Sequence, residues 1–279
     1  MNYQWYPGHM TKAKRMMEEN IKLIDLVIEI VDARIPISSR NPDIDSLAVN
    51  KARIILLNKS DLADDKITNQ WINYFNENNI YCLKLNSRNN SGIKQVNGLI
   101  MTACADKIER NKQRGILNRP IRAMVVGKAS AKTGNKPGVT KGKQWIKLNK
   151  NVELLDTPGI LWPKFDNQEV GKRLAMIGSM NDEILNVEEL AIDTIKYIYS
   201  EYSDNVIERY GLDKEKTAAS YDENAINPDN SVALYIMEQA AVKRGCIKKG
   251  NNIDYEKISN IILDDFRSGR LGRISLETP

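Results

Sequence analysis

Histidine is all but missing from this chain: 279 residues hold one, His9, and the three cysteines, Cys82, Cys104 and Cys246, stand far apart. Those spacings give neither a metal-ligand pattern nor a disulfide framework, which excludes a zinc site and fits a reducing compartment. No apolar run approaches the roughly 18–20 residues needed to span a bilayer. Met1-Asn2-Tyr3-Gln4-Trp5 lacks the charged-then-apolar pattern of a secretion signal. The expectation is a cytoplasmic protein with no membrane partner. Acidic residues are scarce in one long stretch, since Lys107 to Lys150 holds 13 Lys/Arg and a single acid, Glu109. One loop is also wanting. Ala123-Met124-Val125-Val126-Gly127 reads as the strand that feeds a phosphate-binding G-x-x-x-x-G-K-[ST] loop. Lys128-Ala129-Ser130 follows at once, and no second Gly-Lys-Ser/Thr arrives.

What is present is a globular composition, 42% hydrophobic and 28% charged, in a length that suits one large domain or two ordinary ones. Net charge is +5 but unevenly spread. Residues 1–170 carry 27 basic and 17 acidic side chains, residues 171–279 carry 14 and 19. A net +12 between residues 107 and 150 is self-repelling, and a polyanion such as nucleic acid is the partner that offsets it.

Residues 23–32 (LIDLVIEIVD) and 52–58 (ARIILLN) are β-branched-rich runs ending in polar residues, the pattern of buried parallel strands. Residues 65–79 have helical spacing at Ile67, Trp71 and Phe75; 81–87 reads as a strand, 91–113 as one long helical stretch and 120–126 as another strand. Residues 143–148 and 151–156 read as a hairpin around Asn149-Lys150. This alternation predicts an α/β doubly wound sheet over residues 1–170. From there the pattern is helical with no strand, which predicts an all-helical domain over 171–279.

Two motifs sit at strand ends. Asn58-Lys59-Ser60-Asp61 is an N-K-x-D, whose Asp carboxylate accepts both the ring N–H and the exocyclic amine of guanine, a pair adenine cannot offer. Asn58 would brace neighbouring loops and touch the base edge, while the Lys59 stem packs over the base plane. Asn, Ser and Asp also favour plain turns. Asp156-Thr157-Pro158-Gly159 follows a second apolar strand. In phosphate-hydrolysing switches this Asp sits near Mg²⁺ and the glycine N–H approaches the γ-phosphate, although a Pro-Gly turn would also close a hairpin here. Together the two motifs point to guanine nucleotide binding. Asn135-Lys136-Pro137-Gly138-Val139-Thr140 suits a switch loop whose threonine reaches Mg²⁺ and γ-phosphate. Backbone amides at Asn86-Ser87 could support the guanine carbonyl.

The order of the motifs is inverted, with N-K-x-D before the Thr140 loop and D-T-P-G. That order is a circular permutation and resembles the circularly permuted GTPases of ribosome assembly. Trp5-Tyr6-Pro7-Gly8-His9-Met10, Asp32-Ala33-Arg34-Ile35-Pro36 and Ser38-Ser39-Arg40-Asn41-Pro42 look like signatures of the ribosome biogenesis GTPase A (RbgA/YlqF) family, and the likeness covers essentially the whole chain. The resemblance implies a permuted Ras-like α/β P-loop GTPase domain followed by a smaller helical domain that contacts RNA. It implies GTP/GDP and Mg²⁺ as ligands, with Thr140 and Asp156 on the metal, and the large ribosomal subunit and its rRNA as partners of a chain monomeric when free. Ile160 stands where many GTPases place a water-orienting glutamine, and the resemblance transfers that role to His9. It also implies a phosphate loop and helix of roughly fifteen residues between Gly127 and Lys128, which the sequence lacks. Hydrolysis is conditional on such a loop; the alternative is an RNA-binding scaffold with a vestigial nucleotide pocket.

Overall fold

Leu26–Asp32 and Ala52–Asn58 are apolar on both faces, so they are stable only as inner strands covered from both sides. The computed structural model, which describes residues 10–127, 144–156, 167–182 and 185–279, places them there. In chain order the first part holds α1 (Met10–Ile21), β1 (Leu26–Asp32), α2 (Asp43–Leu47), β2 (Ala52–Asn58), α3 (Asp65–Glu77) and β3 (Tyr81–Lys84). It continues with α4 (Ile93–Ala103), α5 (Ala105–Gln113), β4 (Ile121–Gly127), β5 (Gln144–Asn149) and β6 (Val152–Asp156). The sheet order is β3-β2-β1-β4-β6-β5. Every pairing is parallel except that of the edge strand β5 with β6, the hairpin expected around Asn149-Lys150.

One sheet face packs Leu26, Ile28, Ile54 and Leu56 against Ile100 and Cys104 at the end of α4. The other packs Val27, Met124 and Leu155 against Met17 and Ile21 of α1, and Val31, Ile55 and Leu57 against Trp71 and Phe75 of α3. Each buried side chain of this size contributes about 1.5–3 kcal/mol, which is what fixes the strands in register. The stretch 91–113 is not one helix. It breaks at Cys104, which ends α4 and starts α5.

The described chain divides into two compact units: a sheet unit of residues 10–156 with Glu277–Pro279, and a helical unit of Asn167–Leu276. The latter holds α6 (Gln168–Met176), α7 (Val187–Glu201), α8 (Ser203–Tyr210), α9 (Lys214–Ala218), α10 (Ser231–Arg244), β7 (Ile247–Lys248), β8 (Asn252–Ile253) and α11 (Tyr255–Arg267). Its core sets Leu190, Ile195 and Ile198 of α7 with Ile258, Ile262 and Phe266 of α11, all buried. Asn167, Asn186, Asp213 and Asp254 cap α6, α7, α9 and α11, each accepting from an amide of the first turn. The antiparallel β7–β8 pair corrects the expectation of an all-helical region: two-residue strands carry no periodicity to read.

Candidate functional site

Asn58 is the last residue of β2, and its neighbour across the ladder is Asp32, the last of β1. The Asn58 carbonyl accepts from the Ala33 amide at 2.8 Å. Its side-chain oxygen accepts from the Ser87 amide at 3.1 Å, tying the loop after β3 to the end of β2. The Ser60 amide donates to the Leu85 carbonyl at 3.1 Å, a second tie between the same two strand ends. Between them Lys59 takes φ +57, a left-handed conformation that turns the chain sharply out of the sheet.

Lys59 is held by its ammonium. Nζ lies 2.9 Å from Oδ2 of Asp32, a carboxylate that is itself buried. Arg34 grips that carboxylate with two bonds, Nε to Oδ1 at 2.9 Å and a terminal nitrogen to Oδ2 at 2.8 Å, and its backbone amide adds a third at 3.1 Å. Burial alone would raise the Asp32 pKa; the Arg34 guanidinium and the Lys59 ammonium outweigh it and hold the group at about 2. A fixed anion thus pins the stem of Lys59 at the mouth of the strands. Asp61, two residues on, is exposed.

The loop after β3 is equally self-contained. Asn86 is buried, its amide donates to the Ser91 carbonyl at 3.1 Å, and its side-chain oxygen accepts from the Arg88 amide at 2.9 Å. Since the Ser87 amide is taken by Asn58, the amides of residues 86–88 are engaged within the protein. Gly127 closes β4 at φ +141, and a Cβ there would overlap the Ile30 carbonyl oxygen, so only glycine fits. The structure brings Asn58, Lys59, Ser60, Asp61, Asn86 and Ser87 to the carboxyl ends of adjacent strands, with Gly127 ending β4 two strands away. Asp156 ends β6, with only its backbone described; His9, Thr140 and Gly159 lie outside the described residues.

Asp32 and Arg34 are the site residues that motif reasoning passed over. They were visible only as a Asp-Ala-Arg signature; what gives them a role is the β1–β2 register, which sets Asp32 beside Asn58 and within reach of Lys59. The remainder of that signature shapes the exit from β1, where Ser39 Oγ accepts from the Asp32 amide at 3.0 Å.

A parallel sheet with N-K-x-D closing one inner strand, D-T-P-G beginning at the end of another, and the two in permuted order defines a guanine-nucleotide-binding protein of the GTPase class. The model for 50S ribosome-binding GTPases matches residues 120–222. Ribosome biogenesis GTPase A of Bacillus cereus is 42% identical, with 100% of this chain and 95% of the relative covered. Its Thermotoga maritima counterpart is 29% identical over 99% of this chain and 94% of its own. Solved YlqF structures share the fold: a GDP-bound one at TM-score 0.62, covering 95% of this chain and 99% of its own, and a GNP-bound one from T. maritima at 0.57, covering 96% and 98%, both 24% identical. The chain belongs to the ribosome biogenesis GTPase A family, and by family it is a GTPase, hydrolysing GTP to GDP and phosphate. The alignment with the B. cereus protein runs over 294 positions against 279 residues here, so about fifteen of them face no residue of this chain.

Proposed function

We propose that the chain is a GTP-hydrolysing assembly factor for the large ribosomal subunit, engaging immature particles in the GTP state and leaving after hydrolysis. The observation that carries this reading is the braced corner of Asn58, Lys59 and Asp61. Asp61 would accept the two guanine donors, the pinned Lys59 stem would cover the base plane, and Asn58 would hold the Ser87 loop beside them. The Gly159 amide faces the γ-phosphate in this reading, and His9 orients the attacking water in place of the glutamine that Ile160 displaces. The free chain is a monomer and works in the cytoplasm; no helix among the described residues is long and apolar enough to cross a membrane.

Mg²⁺, which in such switches neutralises phosphate charge, is assigned to Thr140 and Asp156. That donor set is short: the loop hydroxyl that should join it is missing from the sequence, and no cluster of three or more His, Cys, Asp or Glu that could hold a metal exists among the described residues.

The basic stretch 107–150 supplies the affinity for rRNA, so binding must be salt-dependent. Co-sedimentation with purified large subunits is expected at 50 mM salt and lost by about 200 mM, with subunits raising phosphate release. His9→Ala should cut the stimulated rate by about tenfold or more and leave subunit binding unchanged. Absence of co-sedimentation would defeat the proposal. Co-sedimentation without phosphate release would favour the second reading, an RNA-binding scaffold with a vestigial pocket, for which the missing loop speaks.

A further inference from the structure

Gly-Lys occurs three times in the sequence, as Gly127-Lys128-Ala129, Gly142-Lys143-Gln144 and Gly171-Lys172-Arg173, and is never followed by Ser or Thr. A phosphate loop needs that hydroxyl, the lysine, and a run of amides leading into a helix N-terminus, because consecutive N–H groups and the helix dipole are what hold a di- or triphosphate. The sheet nonetheless keeps the strand that would feed it. Gly127 retains the positive φ and the close approach to the Ile30 carbonyl that admit no other residue. The sequence therefore lacks the phosphate-loop motif while the strand that would feed it is in place, and about fifteen residues is what such a loop and two or three helical turns would occupy.

The base side does not depend on that loop. Asn58 is bonded to the Ser87 amide, Ser60 to the Leu85 carbonyl, and Lys59 to Asp32, whose other partner is Arg34. Every one of these bonds is internal to β1, β2, β3 and the turns that follow them. The Asp61 carboxylate, exposed at the end of this set, needs no phosphate to be in place.

From this contrast we infer that the free chain holds guanine nucleotides through the base, with the β- and γ-phosphates and Mg²⁺ adding little to the binding. The inference rests on the guanine-site reading above and narrows it from guanine nucleotides to the guanine base with its ribose. A ligand held this way is bound weakly and exchanges fast, and the free chain discriminates poorly between GTP and GDP.

NMR-monitored titration of the folded chain with guanosine, GMP, GDP and GTP, each with Mg²⁺ or with EDTA, tests it. The four dissociation constants should agree within about tenfold and should not move with Mg²⁺, while adenosine fails to bind. Asp61→Asn should weaken all four alike, by about tenfold or more, and admit xanthosine, a gain that a merely unfolded variant would not show. GDP or GTP binding more than about 100-fold tighter than guanosine, or tightening tenfold with Mg²⁺, would overturn the inference and leave the guanine site standing. If neither guanosine nor GDP binds the folded chain, the guanine site itself falls, and the inference with it.

Discussion

Asp32 has a partner on each side and almost no water, a combination that makes its charge part of the fold. Its carboxyl is held at about 2 against an ordinary 3.8, so its contribution is fully present above about pH 4 and is lost as pH falls through 2. The size of that contribution is about 2 kcal/mol. Asp32→Asn should remove it at every pH and leave the buried Arg34 charge uncompensated, for a total loss of about 3–5 kcal/mol at pH 7. Denaturant unfolding of both proteins at pH 7 and pH 3 checks this: the gap between them should narrow on acidification. A gap unchanged by pH would mean that the carboxylate charge is not what stabilises the turn. Because Lys59 is released by the same substitution, guanosine binding should weaken too.

Among the elements, β4 is a strand held by its own packing on both faces. Its alternate residues still fill two cores, Ile121 and Ala123 on one face, Met124 and Val126 on the other. Gly127→Ala would press a methyl into the Ile30 carbonyl at a φ that side chains avoid, and should cost about 2–4 kcal/mol. Thermal unfolding measures that loss; guanosine affinity, which the proposal sets at the end of β2, should stay put. The inner strands were legible because apolar runs ending in Asp32, Asn58 and Gly127 admit no other burial. The turn of N-K-S-D was legible by its chemistry, since Asn, Ser and Asp favour turns at strand ends. Cys104 gave no warning of a helix break, since neither glycine nor proline marks it. The β7–β8 pair is too short for any period, and the grip of Asp32 on Lys59 exists only once two strands lie in register.

Across the whole molecule, the sheet unit is not finished where the helical unit begins. Glu277, written some 240 residues after Ile37, places its carboxylate on the Ile37 amide at 2.8 Å, the Ser38 amide at 3.0 Å and the Ser38 hydroxyl, while its carbonyl accepts from Trp71 Nε1 at 3.2 Å. Two amides, that of Ser38 buried, depend on one side chain. Glu277→Ala should therefore destabilise the sheet unit by about 2–4 kcal/mol and strip exchange protection from the Ile37 and Ser38 amides. Retained protection there would show that another acceptor takes over.

The same contact sets a timetable for biosynthesis. At about 5–20 residues per second, the ribosome making this chain needs roughly 10–50 s to travel from Ser38 to Glu277. Through that interval the turn after β1, the one that presents Asp32 to Lys59, emerges without its final acceptor. The corner that sets Asp32 beside Lys59 is thus assembled in two instalments, and the second arrives only after the helices of the helical unit have been translated.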